Sequence, residues 1–512
     1  MSNHNDVEVA VIGFGPVGAV AASLLGQAGL TTLAIDRDTD IFPKPRALAI
    51  DHEIMRLFDN LGVAEKVLPF TEPFTASEHF GAEGQLIRRI DMVPPPYPLG
   101  YVPSMVFTQP PVEAVLRTHA AAWPGVEIAL GTAFERLEQD ADGVTLHLRA
   151  PNGAARIVRA GHVIGCDGAS SLVRQSLGIQ LEDLVFDEPW LVIDVMLNPG
   201  AETKLPQTSA QFCNPARPTS YLIGAGRHRR WEIMLLPGED RFAMENPAAV
   251  WQLLSPWLTQ EDGTLWRASS YRFHALVARQ WRHGRVFLAG DSAHQQPPFI
   301  GQGMCQGLRD AANLVWKLAA VIGGQANDTL LDSYGQERGA HVRELTGRIK
   351  AIGHVICERD PIAARARDTR ILAEGGGTAR TITRQDIVPG LSCGLLSAHP
   401  DQPARGTLFP QPLVRHQGGT ALLDRVCGTG FRMVIEAGAA PGLAAQARAA
   451  GITPILIGPG HIEECESVVA NWFARHGCIA ALLRPDHYVF GTAANAAEAA
   501  ALLSERSTAL AR

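Results

Sequence analysis

The sequence lacks close pairs of cysteine residues. Its eight cysteines are scattered between Cys166 and Cys478, which favours reduced, mostly buried thiols over a disulfide framework or a zinc site. An excess of basic residues is also missing, since the formal net charge is −7 and the sequence isoelectric point is about 6.2. These absences argue against a metal site, and against nucleic acid or an anionic membrane as the main partner.

Long hydrophobic runs are absent as well. No uncharged apolar run approaches the roughly 18 residues that a membrane span requires, and the opening MSNHNDVEVAVIGFG has neither the basic start nor the apolar core of a secretory signal. We therefore expect a cytoplasmic protein with no membrane partner. With 46% hydrophobic and 19% charged residues, the 512-residue chain is long enough for two or three domains with large cores.

A glycine-rich turn follows the first predicted strand, Val7–Ile12. The turn is Gly13-Phe14-Gly15-Pro16-Val17-Gly18, a small-residue helix comes next, and a second apolar run, Thr31–Ile35, stops at Asp36. Glycines at these positions allow a tight turn, backbone approach to a pyrophosphate and close packing of the helix, while the acid can hold ribose hydroxyls. The unit predicts a dinucleotide site, with a purely structural turn as the alternative.

A second unusual turn follows the apolar run Val286–Ala289. The run ends in Gly290-Asp291, passes through two prolines and several glycines, and continues as a long amphipathic helix pattern. A carboxylate at the end of a buried strand needs a polar partner, because desolvating a charge in hydrocarbon is costly. Asp291 is therefore either a ligand contact or a simple turn former.

Three spaced motifs together carry a resemblance to a known family. They are Gly13 to Gly18, Cys166-Asp167-Gly168 followed by Arg174, and Gly290-Asp291-Ser292-Ala293-His294 with its Pro-Pro and Gly-Gln-Gly continuation. The chain resembles the class A FAD-dependent aromatic hydroxylases of the p-hydroxybenzoate hydroxylase fold, and among them the 3-(3-hydroxyphenyl)propionate hydroxylases. RRWEIMLLPGE and GQGMCQGLRDAANLVWKLA add to this likeness, which covers almost the whole chain.

The resemblance implies an α/β protein built in three parts. These are a Rossmann-like FAD-binding domain, an inserted substrate domain with an antiparallel sheet, for which the short alternating runs from Leu191 to Phe273 also argue, and a C-terminal thioredoxin-like module. The expected ranges are 1–75, 101–185 and 276–375 for the FAD-binding domain with its interface helices, 76–100 and 186–275 for the substrate domain, and 389–512 for the module. The module has no Cys-x-x-Cys pair, so we expect a structural or subunit-contact role and, with the family, a homodimer.

The resemblance also implies how FAD is held. Asp291 would accept hydrogen bonds from the ribityl chain, Pro298 would lie beside the flavin ring, and the start of the helix at Gly303 would stabilise the negative charge of reduced flavin. The full set of expected cofactor contacts is Gly13, Gly15, Pro16, Val17, Gly18, Asp36, Arg37, Arg46, Gln109, Ala133, Asp167, Gly290, Asp291, Pro298, Gly303, Met304 and Cys305. Alternatives stay open for three of them: a surface ion pair for Arg46, a helix cap for Gln109 and a turn for Asp167.

For the reaction, the resemblance implies hydroxylation of a small phenol such as 3-(3-hydroxyphenyl)propionate. NADH or NADPH, bound transiently without a Rossmann domain of its own, would reduce FAD, and dioxygen would react through a flavin C(4a)-hydroperoxide. A proton acceptor near the phenol would raise the rate, and the candidates are His52, Tyr221 and His274. Some relatives carry a histidine where this chain has Leu48, so the base stays unassigned.

Several residues are candidates for contact with the substrate. An arginine would suit a carboxylated side chain on the substrate, and Arg217 and Arg272 lie in or beside the predicted substrate sheet. His274 and Phe299 complete the expected contacts, and Pro298 joins His52 and Tyr221 as an expected catalytic residue. The alternatives are a flavoprotein of the same fold with other chemistry, such as a halogenase or a reductase, and a non-catalytic flavin- or aromatic-binding protein.

Overall fold

The computed structural model describes residues 5–511. Its first sheet, here called the nucleotide sheet, has eight strands, of which the middle ones run parallel. In spatial order the path is Arg282–His283, Val286–Leu288, Ala155–Gly165, Val7–Ile12, Thr32–Asp36 and Val126–Leu130, and the strands Val144–Arg149 and Ala133–Gln139 are added by hairpins at Ala155–Gly165. Buried strands and the small-residue helix Pro16–Gln27 form the largest core of the molecule, as the glycine unit predicts.

The second sheet, here called the substrate sheet, has nine strands and is mostly antiparallel. Its order is His294–Gln295, Gly263–Ala278, Leu181–Leu197, His228–Met234, Thr219–Ile223, Ser209–Phe212, Ser77–Phe80, Leu86–Asp91 and Arg380–Thr383. The two edge strands come from segments outside the expected ranges 76–100 and 186–275. Because both faces of this sheet are covered, alternate residues of each strand enter two different cores.

Helices connect the two sheets and flank them. The long helix Gly303–Ile322 follows the Asp291 turn as predicted and packs against the first helix, Pro16–Gln27. The remaining helices up to the C-terminal module are His52–Asn60, Ala64–Val67, Gln109–Ala121, Leu172–Ser176, Arg241–Met244, Pro247–Leu254, Asp332–Cys357 and Pro361–Glu374. A small three-stranded sheet combines Ala49–Asp51, Ser104–Phe107 and Thr71–Pro73.

The C-terminal module contains a four-stranded sheet in the order Thr453–Ile457, Arg432–Glu436, Ala480–Leu483 and Val489–Ala493. The first pair is parallel and the other two are antiparallel, and the thioredoxin-like assignment stays a prediction. Its other elements are the hairpin Leu413–His416 and Gly419–Leu422 and the helices Leu423–Cys427, Leu443–Ala449, Val468–His476 and Ala496–Ala511. All eight cysteines of the chain are free, as predicted, but only Cys213, Cys305 and Cys478 are buried, so the expectation of mostly buried thiols is wrong.

No helix within residues 5–511 combines the length and the apolar character needed to cross a bilayer.

Candidate active site

The three sequence motifs meet at one edge of the nucleotide sheet. Ile12 pairs with Gly165, and Gly165 pairs with Leu288, so the three parallel strands end at the same level. The turns that follow them begin at Gly13, Cys166 and Ala289 and therefore lie side by side. A crevice beyond the carboxyl ends of parallel strands is the usual ligand site of an open α/β sheet.

Close contacts between backbone atoms require glycine at two positions of the first turn. Gly13 has φ +97°, and a Cβ atom built there would overlap the carbonyl oxygen of Cys166; one built on Gly18 would overlap the carbonyl oxygen of Gly13. A Cβ built on Gly15 would meet no protein atom within 4 Å. Gly15 precedes Pro16, the first residue of the helix, so open space remains where the helix amino end could bind a phosphate.

The acid at the end of the second strand fixes the shape of this turn. Asp36 Oδ2 accepts a hydrogen bond from the Phe14 amide (2.8 Å), and Oδ1 accepts one from the Asp38 amide (3.0 Å). Ala133 is brought close to it, because the neighbouring Thr132 amide donates to the Asp36 carbonyl (2.8 Å). Arg37 is exposed beside them. The structure thus brings Asp36, Arg37 and Ala133, three of the expected cofactor contacts, close together.

The Asp291 turn touches the first helix. A Cβ built on Gly290 would lie 3.1 Å from Val17 Cγ2, and one built on Gly307 would lie 2.5 Å from the same atom. Asp291 itself is accessible to solvent, yet its carboxylate has no hydrogen bond and no ion pair from residues 5–511. Desolvation by the neighbouring protein raises the pKa of the Asp291 carboxyl group, and His294 and Arg46 oppose this increase.

A buried network that sequence reasoning missed holds the Asp291 turn in place. Asp310 accepts hydrogen bonds from the Gly290 amide (2.9 Å), His294 (2.7 Å) and Arg338 (2.8 Å). Arg174, the arginine of the second motif, donates to the Ser292 carbonyl (2.9 Å) from the other side. The polar residues around Asp291 are thus used for structure, while Asp291 alone points to open space.

The helix Gly303–Ile322 begins beside this turn. A Cβ on Gly303 would meet nothing within 4 Å, Met304 is half-buried, and the Cys305 thiol is buried against the Ala49 carbonyl at 3.6 Å. Pro298 opens the preceding bend, where its carbonyl accepts from the Gly301 amide at 2.7 Å. No side chain caps this helix start, and the space beside Gly303 is open, so its unpaired amide groups are available to a ligand.

The loop with Pro45 and Arg46 is held from both sides. Gln109 Oε1 accepts from the Arg46 and Ala47 amides (3.0 and 2.7 Å), so Gln109 positions the loop instead of serving only as a helix cap. On the other side, Arg230 and Arg267 of the substrate sheet donate to the Pro45 carbonyl. The Arg46 side chain stays exposed and forms no ion pair within residues 5–511, which argues against the surface ion-pair alternative.

In this structure the Asp167 side chain stabilises a turn, which is the alternative to a cofactor contact. Its carboxylate accepts hydrogen bonds from the Ser171 hydroxyl (2.5 Å) and the Val173 amide (3.1 Å) at the start of helix Leu172–Ser176. Burial raises its pKa, and these hydrogen bonds oppose the increase. The next residue, Gly168, has φ +81° and leaves open space where a side chain would be.

One face of the substrate sheet is turned toward the Pro298 loop. Phe299 packs against Trp190, Phe273 and Phe186 with ring centroids 5.8 to 6.0 Å apart. The helix Asp332–Cys357 closes this cluster from the far side through Leu345. Phe299 therefore lies between the predicted flavin loop and the substrate sheet, which agrees with its expected place in the pocket.

The other expected substrate residues lie elsewhere, and these expectations need correction. Tyr221 is fully buried with Trp231 in the core on the opposite face of the sheet, and its hydroxyl donates to the Pro206 carbonyl (3.3 Å). Arg217 pairs with Glu239 (2.6 Å) on that same outer side. One-residue differences in strand register place a side chain on either face, which short sequence patterns do not reveal.

Arg272 and His274 also face away from the aromatic cluster. Strand alternation puts them opposite to Phe273, and both side chains are turned to Asp187, at 2.6 Å for Arg272 and 3.4 Å for His274. Arg272 is more than half exposed, with a side-chain exposure of 57%. Neither residue is brought to the proposed pocket.

His52 is not a member of the aromatic cluster around Phe299. It lines a cavity with Asp51, Arg309 and, from the linker and C-terminal module, Pro389 and Tyr488, and no strand residue of the substrate sheet lines that cavity. Burial lowers the pKa of His52 to about 4, although Asp51 opposes this. The histidine is placed to support the domain interface rather than to meet a phenol.

Comparison with known proteins identifies the family. A family model described as an FAD binding domain matches residues 6–348. The chain belongs to this family and is an FAD-dependent monooxygenase. A second model, described as the HcaD C-terminal domain, matches residues 406–508, so both parts of the FAD-dependent monooxygenase have relatives.

The relatives of this monooxygenase are named as hydroxylases. A probable NADH-specific resorcinol 4-hydroxylase of Rhodococcus jostii (strain RHA1) is 38% identical over 99% of this chain and 95% of its own length. A 3-(3-hydroxy-phenyl)propionate/3-hydroxycinnamic acid hydroxylase of Mycobacterium sp. (strain JLS) is 33% identical over 96% and 89%. The hydroxylase prediction is thus confirmed over the halogenase, reductase and binding-protein alternatives.

Solved structures support the fold of the monooxygenase. Aklavinone-11 hydroxylase, solved with FAD and aklavinone, superposes with a TM-score of 0.82 at 23% identity and covers 99% of this chain and 100% of its own. The flavin-dependent monooxygenase PieE, solved with FAD and substrate, also has a TM-score of 0.82, at 21% identity and the same coverage. At these identities the likeness establishes the architecture.

The residues of the monooxygenase fit FAD. Open space next to Gly15 and Gly303 leaves room for a phosphate and for an anionic ring edge at two helix amino ends. The accessible Asp291 carboxylate can accept hydrogen bonds from sugar-alcohol hydroxyls without giving up a protein partner. When bound, the flavin supplies the redox chemistry, while the chain positions it and excludes water.

Replacing Asp291 by alanine should weaken FAD binding by roughly 10- to 150-fold, because a charge-assisted hydrogen bond contributes about 1.5–3 kcal/mol. Titration of the flavin-free protein with FAD, followed by flavin fluorescence, measures the change. Asp240→Ala is a suitable control, since Asp240 caps the helix Arg241–Met244 outside the cleft. A variant with wild-type FAD affinity and turnover would contradict the proposed role of Asp291.

Proposed function

We propose that this monooxygenase hydroxylates a compact, uncharged phenol of the resorcinol class and prefers NADH as its reductant. The observation that carries the proposal is the composition of the inner face of the substrate sheet. The two arginines expected to bind a substrate carboxylate, Arg217 and Arg272, are paired with Glu239 and Asp187 away from the pocket. The inner face presents the carboxyl groups of Asp194 and Glu232 instead.

The arginines on the inner face are also already engaged. Arg230 donates to both oxygens of Asp194 (2.7 and 3.2 Å) and to the Arg46 carbonyl (2.9 Å). Arg267 donates to the Pro45 carbonyl and the Tyr271 hydroxyl. A second carboxylate brought by the substrate would have to compete with Asp194 for these cations, which favours a neutral diol.

The reaction would follow the stoichiometry of a monooxygenase. One atom of dioxygen enters the ring next to or opposite a hydroxyl, the other leaves as water, and NADH supplies the two electrons. The aromatic cluster around Phe299 would hold the ring and exclude water, since aromatic side chains prefer offset or edge contacts with another ring. The name of the Rhodococcus relative supports both the substrate class and the reductant.

A substrate panel tests this function. FAD-loaded protein is mixed with NADH or NADPH and with resorcinol, phenol or 3-(3-hydroxyphenyl)propionate, and oxygen uptake and product are measured. We expect resorcinol to accelerate NADH oxidation most and to give a product with one added oxygen atom. Equal slow oxidation with and without every phenol would overturn the proposal.

The hydroxyphenylpropionate function is the second candidate. It is favoured by the relative from Mycobacterium sp., which is 33% identical over 96% of this chain. Faster turnover of 3-(3-hydroxyphenyl)propionate than of resorcinol in the same panel would establish it. A homodimer and a cytoplasmic location also stay predictions, and light scattering of the purified protein checks the first.

A further inference from the structure

One carboxylate on the inner face of the substrate sheet has no partner. Glu232 lies directly between Val192 and Ser220 of the adjacent strands, and only 4% of the residue is exposed. Its carboxylate forms no hydrogen bond and no ion pair with residues 5–511. Because a buried carboxylate without hydrogen bonds is costly, a residue kept in this state on the inner face of the sheet points to a ligand.

Strand alternation places Glu232 between the two loops that border the flavin site. Two residues earlier, on the same face, Arg230 donates to the carbonyls of Pro45 and Arg46. Two residues later, Met234 belongs to the cluster that contains Phe299. The Glu232 side chain therefore lies on the face of the sheet that contacts the Pro45 loop and carries the Phe299 cluster.

On one side of Glu232, the row of residues across the sheet is polar. Ser220 is the cross-strand neighbour of Glu232, and its hydroxyl donates to Gln211 Oε1 (2.5 Å) on the next strand. Serine, glutamine and glutamate side chains thus lie next to the aromatic cluster at Trp190. A phenolic ring against the aromatic residues would bring its hydroxyl to this row.

Charged groups on three strands influence the protonation state of the Glu232 carboxyl group. Burial raises the pKa of its carboxyl group to about 7; Arg230 and Arg267 lower it, and Asp194 raises it. Both arginines are shared with Asp194, at 2.7 and 3.8 Å, so neither is committed to Glu232. Arg46, on the Pro45 loop, lies close enough to Arg267 to help lower the pKa of that arginine.

We propose that Glu232 is the proton acceptor for the phenolic hydroxyl of the substrate, an inference that rests on the proposed function. The O–H bond of the substrate breaks, its proton passes to a carboxylate oxygen of Glu232, and the electron pair remains on the phenolate oxygen. No electron is exchanged in this step. The phenolate is a better nucleophile at its ortho and para carbons, which is where oxygen enters. Glu232 thus takes the role that sequence analysis offered to His52, Tyr221 and His274.

The test compares Glu232→Gln and Glu232→Asp with wild type in the FAD-loaded state. With resorcinol, Glu232→Gln should lower kcat about 100- to 1000-fold, in the range of general base catalysis. Glu232→Asp should keep part of the activity. Glu239→Gln, the same change on the outer side of the sheet, should match wild type.

The pH profile separates a proton acceptor from a merely structural residue. A carboxyl group with a pKa near 7 is protonated below that pH and cannot accept a proton, so wild-type kcat/KM should fall as the pH drops below about 7. The midpoint of this fall, the acidic limb of the profile, should lie at the same pH for resorcinol and for a more acidic chlorinated resorcinol. The acidic limb should be absent from the profile of Glu232→Gln. The wild-type profile is informative even if the glutamine variant folds poorly.

Three results are decisive. The role of Glu232 is overturned by an acidic limb that shifts with the acidity of the substrate, or by a Glu232→Gln variant whose kcat is within twofold of wild type. Either result leaves phenol hydroxylation unaffected. A wild-type enzyme that no phenol stimulates overturns both the function and the proton acceptor. Loss of the limb together with the loss of kcat supports the proposal.

Discussion

Replacing Glu337 by glutamine should lower the free energy of unfolding by about 3–5 kcal/mol, the usual cost of removing one partner from a buried ion pair. The fully buried Glu337 carboxylate accepts hydrogen bonds from Lys317 (2.7 Å) and Arg484 (2.7 Å). It also accepts from the Leu395 amide (2.8 Å) and the Asn313 side chain (2.7 Å). These contacts join the helix Gly303–Ile322 to the C-terminal module.

The electrostatics explain the size of this effect. Burial alone would raise the pKa of Glu337, but Arg484 and Lys317 outweigh it and lower the pKa well below its usual range. A carboxyl group with a depressed folded-state pKa stabilises the fold above its unfolded pKa, near 4.5, and that contribution is lost as the pH falls below it. The wild-type protein should therefore lose stability below about pH 5 more steeply than Glu337→Gln does.

A control is available on the helix Asp332–Cys357, which contains both Glu337 and Glu344. Glu344 pairs with Arg348 one turn away, and both side chains are at least 40% exposed, so Glu344→Gln should change stability by no more than about 0.5 kcal/mol. Denaturant unfolding of both FAD-loaded variants measures the difference. A loss below about 1 kcal/mol for Glu337→Gln would show that the buried network contributes little.

Replacing Gly18 by alanine should abolish or strongly weaken FAD binding. The added methyl group would overlap the Gly13 carbonyl oxygen, and because both are main-chain positions, no side-chain rotation relieves the clash. The first turn must then move away from the helix start, which we expect to cost about 3 kcal/mol or more, roughly a hundredfold in FAD affinity. Flavin absorbance of the purified variant and a FAD titration measure this loss.

Gly347→Ala is the matched control for this substitution. Gly347 also lies inside a helix, Asp332–Cys357, but a Cβ atom there would meet nothing within 4 Å. Alanine has the higher helix propensity, so this variant should bind FAD normally and be as stable as wild type or slightly more stable. Normal flavin content in Gly18→Ala would contradict the close packing at the first turn.

Much of the cofactor site could be predicted from the sequence because its signals are local. The turn from Gly13 to Gly18 follows a strand, precedes a helix and has an acid at the end of the next strand, and each feature leaves a mark within a few residues. The run Val286–Ala289 and the Asp291 turn are equally compact. Parallel strands then bring these turns to one edge, and the pairing of Ile12 with Gly165 and Gly165 with Leu288 confirms it.

The residues on the inner face of the substrate sheet could not be predicted, because contacts between segments distant in sequence determine which face each residue lies on. The substrate sheet is covered on both faces, so the alternation in RRWEIM does not say whether Arg230 and Glu232 or Trp231 and Ile233 face the flavin. That choice is made by pairing with Asp194 and with the Pro45 loop, distant in sequence. The one available signal was the alternation itself, since a strand that places Arg and Glu on a single buried face needs a polar reason for it.

We expect FAD to lie where the three strand ends meet, with its reactive ring between the Pro298 loop and the inner face of the substrate sheet. A crystal structure of the FAD-loaded protein with resorcinol would show this arrangement. We predict the diphosphate at the amino end of helix Pro16–Gln27, the ribityl chain at Asp291 and a resorcinol hydroxyl within hydrogen-bond distance of Glu232. A flavin bound at another place, or a phenol held on the outer face of the sheet near Tyr221, would contradict the account.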